Sequence, residues 1–257
     1  MSSPSVTRAG RLTDAVLPPA LSIRLRARVI RPGPDGTAPH PVIVDLVPKG
    51  ATAVDVGAHR GLWTYWIGRR AGQVHSFEPN PNLYAFLSRT RLRSVHAYQV
   101  ALSDVEGTAE LSVPTGGRAG RGSIEVTNGD HIATVATRRL DSYAFADVGF
   151  MKIDVEGHEE AVIRGATETL ERCHPVLVIE IEDRHNPGAT ERIPATLAGL
   201  GYQHAYFERG GTLHRLPEFD LRRHQIDVTS EMSDDYVNNF VFMAHPLGEA
   251  PGPGPVS

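Results

Sequence analysis

From about residue 42 onward, short apolar segments alternate with stretches that are long enough for helices. The clearest apolar segments are 52–56, 73–77, 150–155 and 176–181. The residues 95–102 predict a third strand between the second and third of these, 123–126 also look extended, and 158–172 predict a helix. A strand buried on both faces of a sheet is apolar throughout, and two parallel strands need a helix-length connection between them. The alternation therefore predicts an α/β domain with a mostly parallel sheet and helices on both of its faces.

The two ends of the chain depart from this pattern. Residues 1–40 contain one helix-length segment, Ala15–Ile30, followed by a Pro/Gly-rich turn, which predicts an N-terminal extension with a helix. Residues 41–245 carry the alternation and form the main domain, whereas the proline and glycine content of residues 246–257 predicts a disordered tail. Hairpin-like segments late in the main domain predict one antiparallel edge strand in this sheet.

Composition narrows the range of functions. The chain has 257 residues and a formal net charge of −4, so it lacks the basic excess expected for nucleic-acid binding, and we expect no nucleic-acid partner. The arginines at 24, 26 and 28 fit the solvated face of a helix. No apolar segment approaches the roughly 20 residues of a membrane span, and no signal peptide is evident. With Cys173 as the only cysteine, these features favour a cytoplasmic protein, for which a homodimer stays open.

The residues that end the predicted strands indicate a ligand site, because ligands of open α/β sheets bind outside the carboxyl ends of the strands. The first strand ends in the turn 55–61, with sequence DVGAHRG, whose two glycines can bring the backbone close to a ligand. Its G-x-x-x-G spacing differs from the G-x-G-x-x-G of dinucleotide folds. An amino-acid-like tail fits this turn better than a pyrophosphate, with Asp55 at its ammonium and backbone N–H groups at its carboxylate.

The ends of the second and third strands complete this site. Glu78 can accept the hydrogen bonds of a ribose diol, and the segment 101–104 can flank an adenine. The residues expected to contact such a cofactor are Asp55, Gly57, Ala58, His59, Gly61, Glu78, Pro79, Asn80, Ala101, Leu102 and Asp154.

Taken together, these segments resemble the FkbM family of methyltransferases. The matching segments are Val54–Ala58, Ser76–Asn80, Val100–Asp104, Arg139–Ser142, Met151–Glu159 and Asn239–Phe242. The resemblance covers about residues 50–245; it departs at His59, where the family often has asparagine, and over the first 40 residues. It implies a Rossmann-like class I methyltransferase fold, with a mostly parallel seven-stranded sheet that has an antiparallel edge strand. It also implies S-adenosylmethionine as the cofactor and methyl transfer to an oxygen.

The resemblance also suggests classes of acceptor. Family members often act on sugars, polyketides or other bacterial natural products, and some relatives act on methylated polysaccharide precursors in actinobacteria. The arginine-rich composition, with lysine only at 49 and 152, is compatible with that source. A hydroxyl of a sugar or oligosaccharide is therefore the favoured acceptor, with a polyketide or another small-molecule natural product as the alternative.

Methyl transfer to a hydroxyl requires loss of its proton, which a base or a metal ion can promote. Asp154 ends the fourth strand, His158 lies at the start of the helix that follows, and Glu180 ends the fifth strand. These three are the catalytic candidates, with Glu156 as a further base and His185 as a polar contact. Similarity to metal-dependent sugar O-methyltransferases implies Mg²⁺ or a similar divalent cation held by Asp154, Glu182 and Asp183, with Glu180 as a rival ligand. The alternative is that these acids are solvated or cap neighbouring turns.

One loop and two other function classes stay open. The glycine-rich loop 116–122 could close over the acceptor, with Arg118, Arg121 and Glu125 contacting its hydroxyls. A NAD-binding oxidoreductase can use a similar sheet, although the G-x-x-x-G turn disfavours it. A non-catalytic module that binds the cofactor without turnover is the other alternative, and the acidic strand ends disfavour it.

Overall fold

The computed structural model describes residues 17–33, 36–113, 131–231 and 233–248. The helices are α1 (Pro19–Val29), α2 (Pro41–Val44), α3 (Leu62–Ile67), α4 (Pro81–Arg89), α5 (Glu159–Arg164), α6 (Thr167–Cys173) and α7 (Ala189–Gly199). The strands are β1 (Thr52–Val56), β2 (Gln73–Phe77), β3 (Val95–Tyr98), β4 (Ala101–Leu102), β5 (Gly107–Val113), β6 (His131–Arg138), β7 (Phe150–Ile153), β8 (Val176–Glu180), β9 (His204–Arg209), β10 (Thr212–Arg215) and β11 (Asn239–Met243). Short 3₁₀ segments, Leu140–Tyr143 and Leu216–Glu218, and a π-helical turn, Arg222–Ile226, complete the elements.

Eight strands form the main sheet in the order β10-β9-β11-β8-β7-β1-β2-β3. The five neighbouring strands β3, β2, β1, β7 and β8 pair in parallel. Strand β11 is antiparallel to both β8 and β9, and β10 is antiparallel to β9. The mostly parallel α/β sheet with an antiparallel edge strand is therefore confirmed, but the predicted count of seven strands is one too few. The second antiparallel strand, β11, lies inside the sheet, where its segment Phe240–Phe242 is buried.

Alternation of side chains along the central strands builds a core on each face of the sheet. In β8, Val178 packs on one face with Ile43 and Trp63, from α2 and α3. The next residue, Ile179, packs on the other face with the residues of α5 to α7, including Leu170. Helices on both faces of the sheet are thus confirmed.

The segment predicted as one third strand, 95–102, divides between two sheets. Residues Val95–Tyr98 pair with β2 in the main sheet, whereas Ala101–Leu102 pair with β6 in a three-stranded sheet of order β4-β6-β5. This smaller sheet carries the long β5–β6 pairing. The predicted strand 123–126 and the glycine-rich loop 116–122 lie outside the described residues.

The helix predicted over 158–172 is two helices, α5 and α6. They meet at Gly165, where a Cβ would lie 2.0 Å from the backbone oxygen of Ser103. The chain can therefore pass the residue after β4 this closely only with a glycine at position 165, which follows the last residue of α5.

The N-terminal extension packs onto the main domain. Ile23 and Ala27 of α1 and Ala38 form a buried cluster with Leu62 at the start of α3. Among the described residues, no helix combines the length and the apolar character that a membrane crossing requires. Residues 1–16 and 249–257, which hold the start of the chain and most of the predicted tail, lie outside the described residues.

Candidate active site

The carboxyl ends of four parallel strands meet at one edge of the main sheet. Val56 of β1 pairs with Phe77 of β2 and with Ile153 of β7, and Ile153 pairs with Ile179 of β8. The residues that directly follow these four positions therefore lie side by side across the edge; they are Gly57, Glu78, Asp154 and Glu180. This edge is where the sequence predicts the ligand site.

The two glycines of the turn after β1 are required by the packing of the protein itself. Gly57 has φ of 78°, and a Cβ there would lie 1.8 Å from the backbone oxygen of Asp154. Gly61 has φ of 82°, and a Cβ there would lie 2.5 Å from Leu87 Cδ1. These glycines let the turn approach β7 and α4, so their first role is to hold the turn in place.

The backbone N–H groups of this turn are already used. Those of Gly57 and Ala58 donate to the Phe77 carbonyl at 2.9 and 3.0 Å, and that of Gly61 donates to the Ala58 carbonyl at 2.7 Å. The N–H of His59 donates to Glu78 Oε2 at 2.7 Å. Each of these four N–H groups therefore donates within the protein, and the binding of a cofactor carboxylate by this turn stays a prediction.

Glu78 is held rigidly at the end of β2. Its Oε2 accepts from His59, and its Oε1 accepts from the N–H of Asn80 at 2.9 Å. Asn80 in turn caps α4, because its Oδ1 accepts from the N–H of Asn82 at 3.0 Å. Burial raises the pKa of Glu78 to about 7. Each carboxylate oxygen retains a second lone pair, so the predicted contact with a ribose diol fits this orientation and stays a prediction.

Asp55 lies beneath the edge, at 1% exposure. Its Oδ2 accepts a hydrogen bond of 2.5 Å from Thr64 Oγ1, and that hydroxyl lies 3.1 Å from Ser76 Oγ. Burial raises the pKa of Asp55 to about 6. The carboxyl group therefore ties β1 to α3, and its direct contact with a cofactor ammonium stays a prediction.

The end of the predicted third strand is joined to the start of α5. Ser103 Oγ lies 3.0 Å from Nε2 of His158, the residue that precedes α5. Asp104 accepts from Arg164 Nε at 2.8 Å, and this hydrogen bond lowers the pKa of Asp104. Ala101 and Leu102, both buried, precede them in β4. The imidazole of His158, predicted as a base, is thus directed to the third strand end.

A recess lined almost entirely by carboxyl groups adjoins the edge. We call it the acidic recess; it is lined by Asp154, Glu156, Glu159, Glu180, Glu182 and His185. Burial raises the pKa values of its inner acids: that of Glu159 to about 7, and those of Glu180 and Glu182 in the same direction. The structure thus brings Asp154, Glu180 and Glu182 together, as the sequence predicted.

Asp183 does not line the acidic recess, so the predicted metal trio is not assembled. Its Oδ2 accepts from the N–H of Gly188 at 2.9 Å, and its Oδ1 accepts from Thr190 Oγ1 at 2.6 Å. These bonds fix the loop that leads into α7. Although burial opposes it, hydrogen bonding from Thr190 lowers the pKa of Asp183. Asp183 therefore acts as a cap, which was the alternative that the sequence left open.

Lys152 is a residue of the site that the motif analysis did not single out. It is 1% exposed, and its Nζ lies 3.3 Å from Asp154 Oδ2 and 3.8 Å from Glu180 Oε2. The ammonium also lies 4.8 Å from the centre of the Trp63 ring. A lysine inside the otherwise apolar strand Phe150–Ile153 was the signal in the sequence, because a buried charge needs partners.

His185 joins two acids of the recess. Its Nδ1 lies 2.9 Å from Glu156 Oε2 and 3.1 Å from Glu182 Oε2. The hydrogen bond to Glu156 raises the pKa of His185. One ligand atom from each of these three side chains lies within 4.8 Å of the other two. Glu182 also accepts hydrogen bonds from Arg184 and from Tyr236. Sequence reasoning missed Tyr236 because it comes from a distant segment of the chain.

The N-terminal extension and β11 also reach the site. Gly36 accepts a hydrogen bond from Trp63 Nε1 at 2.9 Å, and a Cβ at Gly36 would lie 3.2 Å from Glu180 Oε2. Asn238, directly before β11, donates from Nδ2 to Glu180 Oε1 at 3.0 Å. With Lys152 of β7, these two residues bring three separate parts of the chain to Glu180.

Comparisons with known proteins agree with this architecture. The profile described as the methyltransferase FkbM domain matches residues 55–204. A similar solved structure is methyltransferase FkbM from Methylobacillus flagellatus KT, with 14% identity and a TM-score of 0.49; the match covers 91% of this chain but 50% of that one, so this chain spans half its length. No protein of curated function matches the sequence.

Two further solved structures resemble this chain with comparable sequence identity and TM-score. One is a SAM-dependent O-methyltransferase from Thermotoga maritima, with 13% identity, a TM-score of 0.43 and coverage of 80% of this chain and 64% of that one. The other is precorrin-6y C5,15-methyltransferase from Geobacter metallireducens GS-15, with 12% identity, a TM-score of 0.41 and coverage of 79% and 86%. The profile match spans more than half of the 257 residues, and with the observed sheet it confirms the predicted Rossmann-like methyltransferase fold. The chain belongs to the methyltransferase FkbM domain family.

Proposed function

We propose that this protein is an S-adenosylmethionine-dependent O-methyltransferase whose acceptor is a hydroxyl group of a sugar or oligosaccharide. The observation that carries the proposal is the position of the acidic recess. It begins at Asp154, which also stands on the strand edge beside the Gly57 turn. Donor and acceptor sites thus adjoin at one residue, as an in-line transfer between them requires.

The residues at the strand edge suit a cofactor that carries positive charge. S-adenosylmethionine has a sulfonium and an ammonium group, and when bound it supplies the methyl group from the sulfonium. Besides burial, the negative charges of Asp55 and Asp154 raise the pKa of Glu78, so these three carboxyl groups are close enough to repel one another. A cationic ligand would relieve this repulsion, whereas the pyrophosphate of NAD would add to it.

The lining of the acidic recess favours a polyhydroxyl acceptor. Among the described residues, all six side chains that line it are acids or histidine, with no apolar side chain. Carboxylates accept hydrogen bonds from hydroxyl groups, and they repel anionic acceptors. An apolar polyketide would meet only charged and polar side chains here, so a hydroxyl-rich sugar suits this lining better.

Asp154 is the residue that we assign to the acceptor proton. Its carboxylate is 30% exposed and Lys152 holds it from below, whereas Glu180 is 17% exposed. The acceptor oxygen gains the methyl group as its proton passes to Asp154, and the ammonium of Lys152 keeps that carboxylate oriented. Glu180 and His158 remain the other candidates; the imidazole of His158 contacts Ser103.

A divalent cation such as Mg²⁺ or Mn²⁺ is part of the proposal, with a ligand set different from the one that the sequence predicted. Glu156, Glu182 and His185 fit a cation, because they offer two carboxylate oxygens and one imidazole nitrogen within 4.8 Å. A cation there would replace the proton that His185 Nδ1 shares with the two acids, and it would withdraw charge from an acceptor oxygen.

The decisive experiment has two stages. S-adenosylhomocysteine should raise the melting temperature of the purified protein and NAD should not, because only a ligand that binds the folded state stabilises it. A screen of mono- and oligosaccharides with methyl-labelled cofactor, followed by NMR of the product, should then identify a methylated hydroxyl. Binding of NAD in place of S-adenosylhomocysteine would refute the cofactor, and methylation confined to apolar hydroxylated compounds would refute the acceptor class.

A further inference from the structure

Helix α1 presents an apolar stripe to solvent on the side opposite its packed face. Ile23 and Ala27 anchor the helix to the main domain. Leu21, Leu25 and Val29 follow at four-residue spacing and are 53%, 37% and 62% exposed. Only seven large apolar side chains are exposed among the described residues, and three of the seven lie on this one helix.

Arginines flank this stripe. Arg24 and Arg28 are exposed and form the adjacent row of the same helix, and Arg31 is exposed just beyond its end. The segment 17–33 contains no acidic residue. None of the ion pairs between described residues involves these three arginines.

The end of α4 adds three more arginines beside α1. Leu92 packs against the cluster that anchors α1, and exposed arginines stand around it at positions 89, 91 and 93. The segment 81–96 also lacks acidic residues. Six exposed arginines therefore lie on α1, just beyond its end or beside it, in a chain whose formal net charge is −4. We call this surface the α1 face.

We propose that the α1 face docks on an anionic lipid surface. A helix that lies in the plane of a bilayer buries apolar side chains among the acyl chains and places cations at the headgroups, and the α1 face offers both. Guanidinium groups bind lipid phosphates well, because their fork of donors matches phosphate oxygens. Nucleic acid would use the arginines but leave the exposed leucines and valine without an apolar partner, so the lipid surface fits better.

The test is co-sedimentation of the full chain with vesicles of phosphatidylcholine alone or with about 30% phosphatidylglycerol. We expect binding to the anionic vesicles to be at least about tenfold stronger and to weaken in about 0.5 M salt. The triple variants Leu21→Ser/Leu25→Ser/Val29→Ser and Arg24→Gln/Arg28→Gln/Arg31→Gln should each lose about tenfold or more of this binding.

Two control variants carry the same changes at exposed positions away from α1. They are Arg215→Gln/Arg222→Gln/Arg223→Gln and Val105→Ser/Ile132→Ser/Ile226→Ser. Both should bind the vesicles as the unchanged protein does, and circular dichroism should show every variant folded. Equal binding by the serine variant of α1 would overturn the proposal and indicate a polyanion such as nucleic acid. A dimer that only this variant dissociates, with no vesicle binding, would show that a second copy covers the α1 face.

Discussion

The ammonium of Lys152 lies 3.3 Å from the carboxylate of Asp154, although the lysine side chain is only 1% exposed. A buried ammonium group needs acidic partners, and Glu180 supplies the second one at 3.8 Å. The cation beneath the acidic recess thus comes from the protein itself, and it determines where the Asp154 carboxylate points.

Replacing Lys152 with methionine tests this arrangement. Lys152→Met keeps most of the side-chain volume but leaves Asp154 and Glu180 without their cation, so we expect unfolding free energy to fall by ~3 kcal/mol. Turnover should fall at least about tenfold, since the Asp154 carboxylate would lose the ammonium that orients it. Chemical denaturation and initial rates are the measurements, and Lys152→Arg should be less harmful. A methionine variant with normal turnover would contradict the assigned role.

Substitution of Gly57 separates backbone strain from steric contact. In Gly57→Ala the new Cβ would meet the Asp154 backbone oxygen at 1.8 Å, at φ of 78°. Gly50→Ala is a matched control, because Gly50 has φ of 79° but nothing within 4 Å of its Cβ position. We expect the control to lose ~1 kcal/mol of stability and Gly57→Ala to lose clearly more, together with cofactor binding. Equal losses in thermal denaturation would mean that the contact with β7 is unimportant.

The raised pKa of Glu78, about 7, gives a dependence on pH. Between its ordinary value of 4.5 and about 7, the unfolded chain has released this proton and the folded chain has not. Stability from this group is therefore lost as pH rises through that window, while affinity for a cationic cofactor increases as the carboxylate forms. Glu78→Gln should flatten both trends, as measured by denaturation and by S-adenosylmethionine titration from pH 5 to 8. Unchanged profiles in this variant would show that another group titrates.

Substitutions of the neighbouring residues Glu182 and Asp183 test which of the two binds a metal ion and which only caps the loop before α7. Glu182→Gln should abolish tight binding of Mn²⁺ in calorimetry or electron paramagnetic resonance, as should His185→Ala. Asp183→Asn should retain the metal, because Asp183 bonds to Gly188 and Thr190, and it should instead cost ~1 kcal/mol of stability. Loss of Mn²⁺ in Asp183→Asn with retention in Glu182→Gln would restore the ligand set predicted from sequence.

The fold followed from the sequence to the extent that local patterns determine it. Apolar segments of strand length gave β1, β2, β7 and β8 almost to the residue, because a doubly buried strand has a distinct composition. The order of strands in space leaves no such pattern, so the interior place of β11 was not foreseen. The close approach of Gly165 to the backbone of Ser103 was also hidden, since the two residues are far apart in sequence.

The candidate site was predictable by position but not by contact. The acids at strand ends could be found because parallel strands share one edge. Which carboxylate faces the acidic recess depends on competing partners, and Thr190 and Gly188 draw Asp183 away. Likewise, the N–H groups of the Gly57 turn looked available in sequence, but the carbonyl of Phe77 accepts from two of them.

The interior position of β11 has a consequence for how the molecule is made. Among the described strands, β11 is the last in sequence, yet it is the strand that hydrogen-bonds to both β8 and β9 and so joins them in one sheet. During synthesis the β9–β10 hairpin therefore cannot pair with the rest of the sheet until residues 239–243 have left the ribosome. Asn238, which donates a hydrogen bond to Glu180, arrives with the same segment, so the surroundings of Glu180 are complete only when the sheet closes.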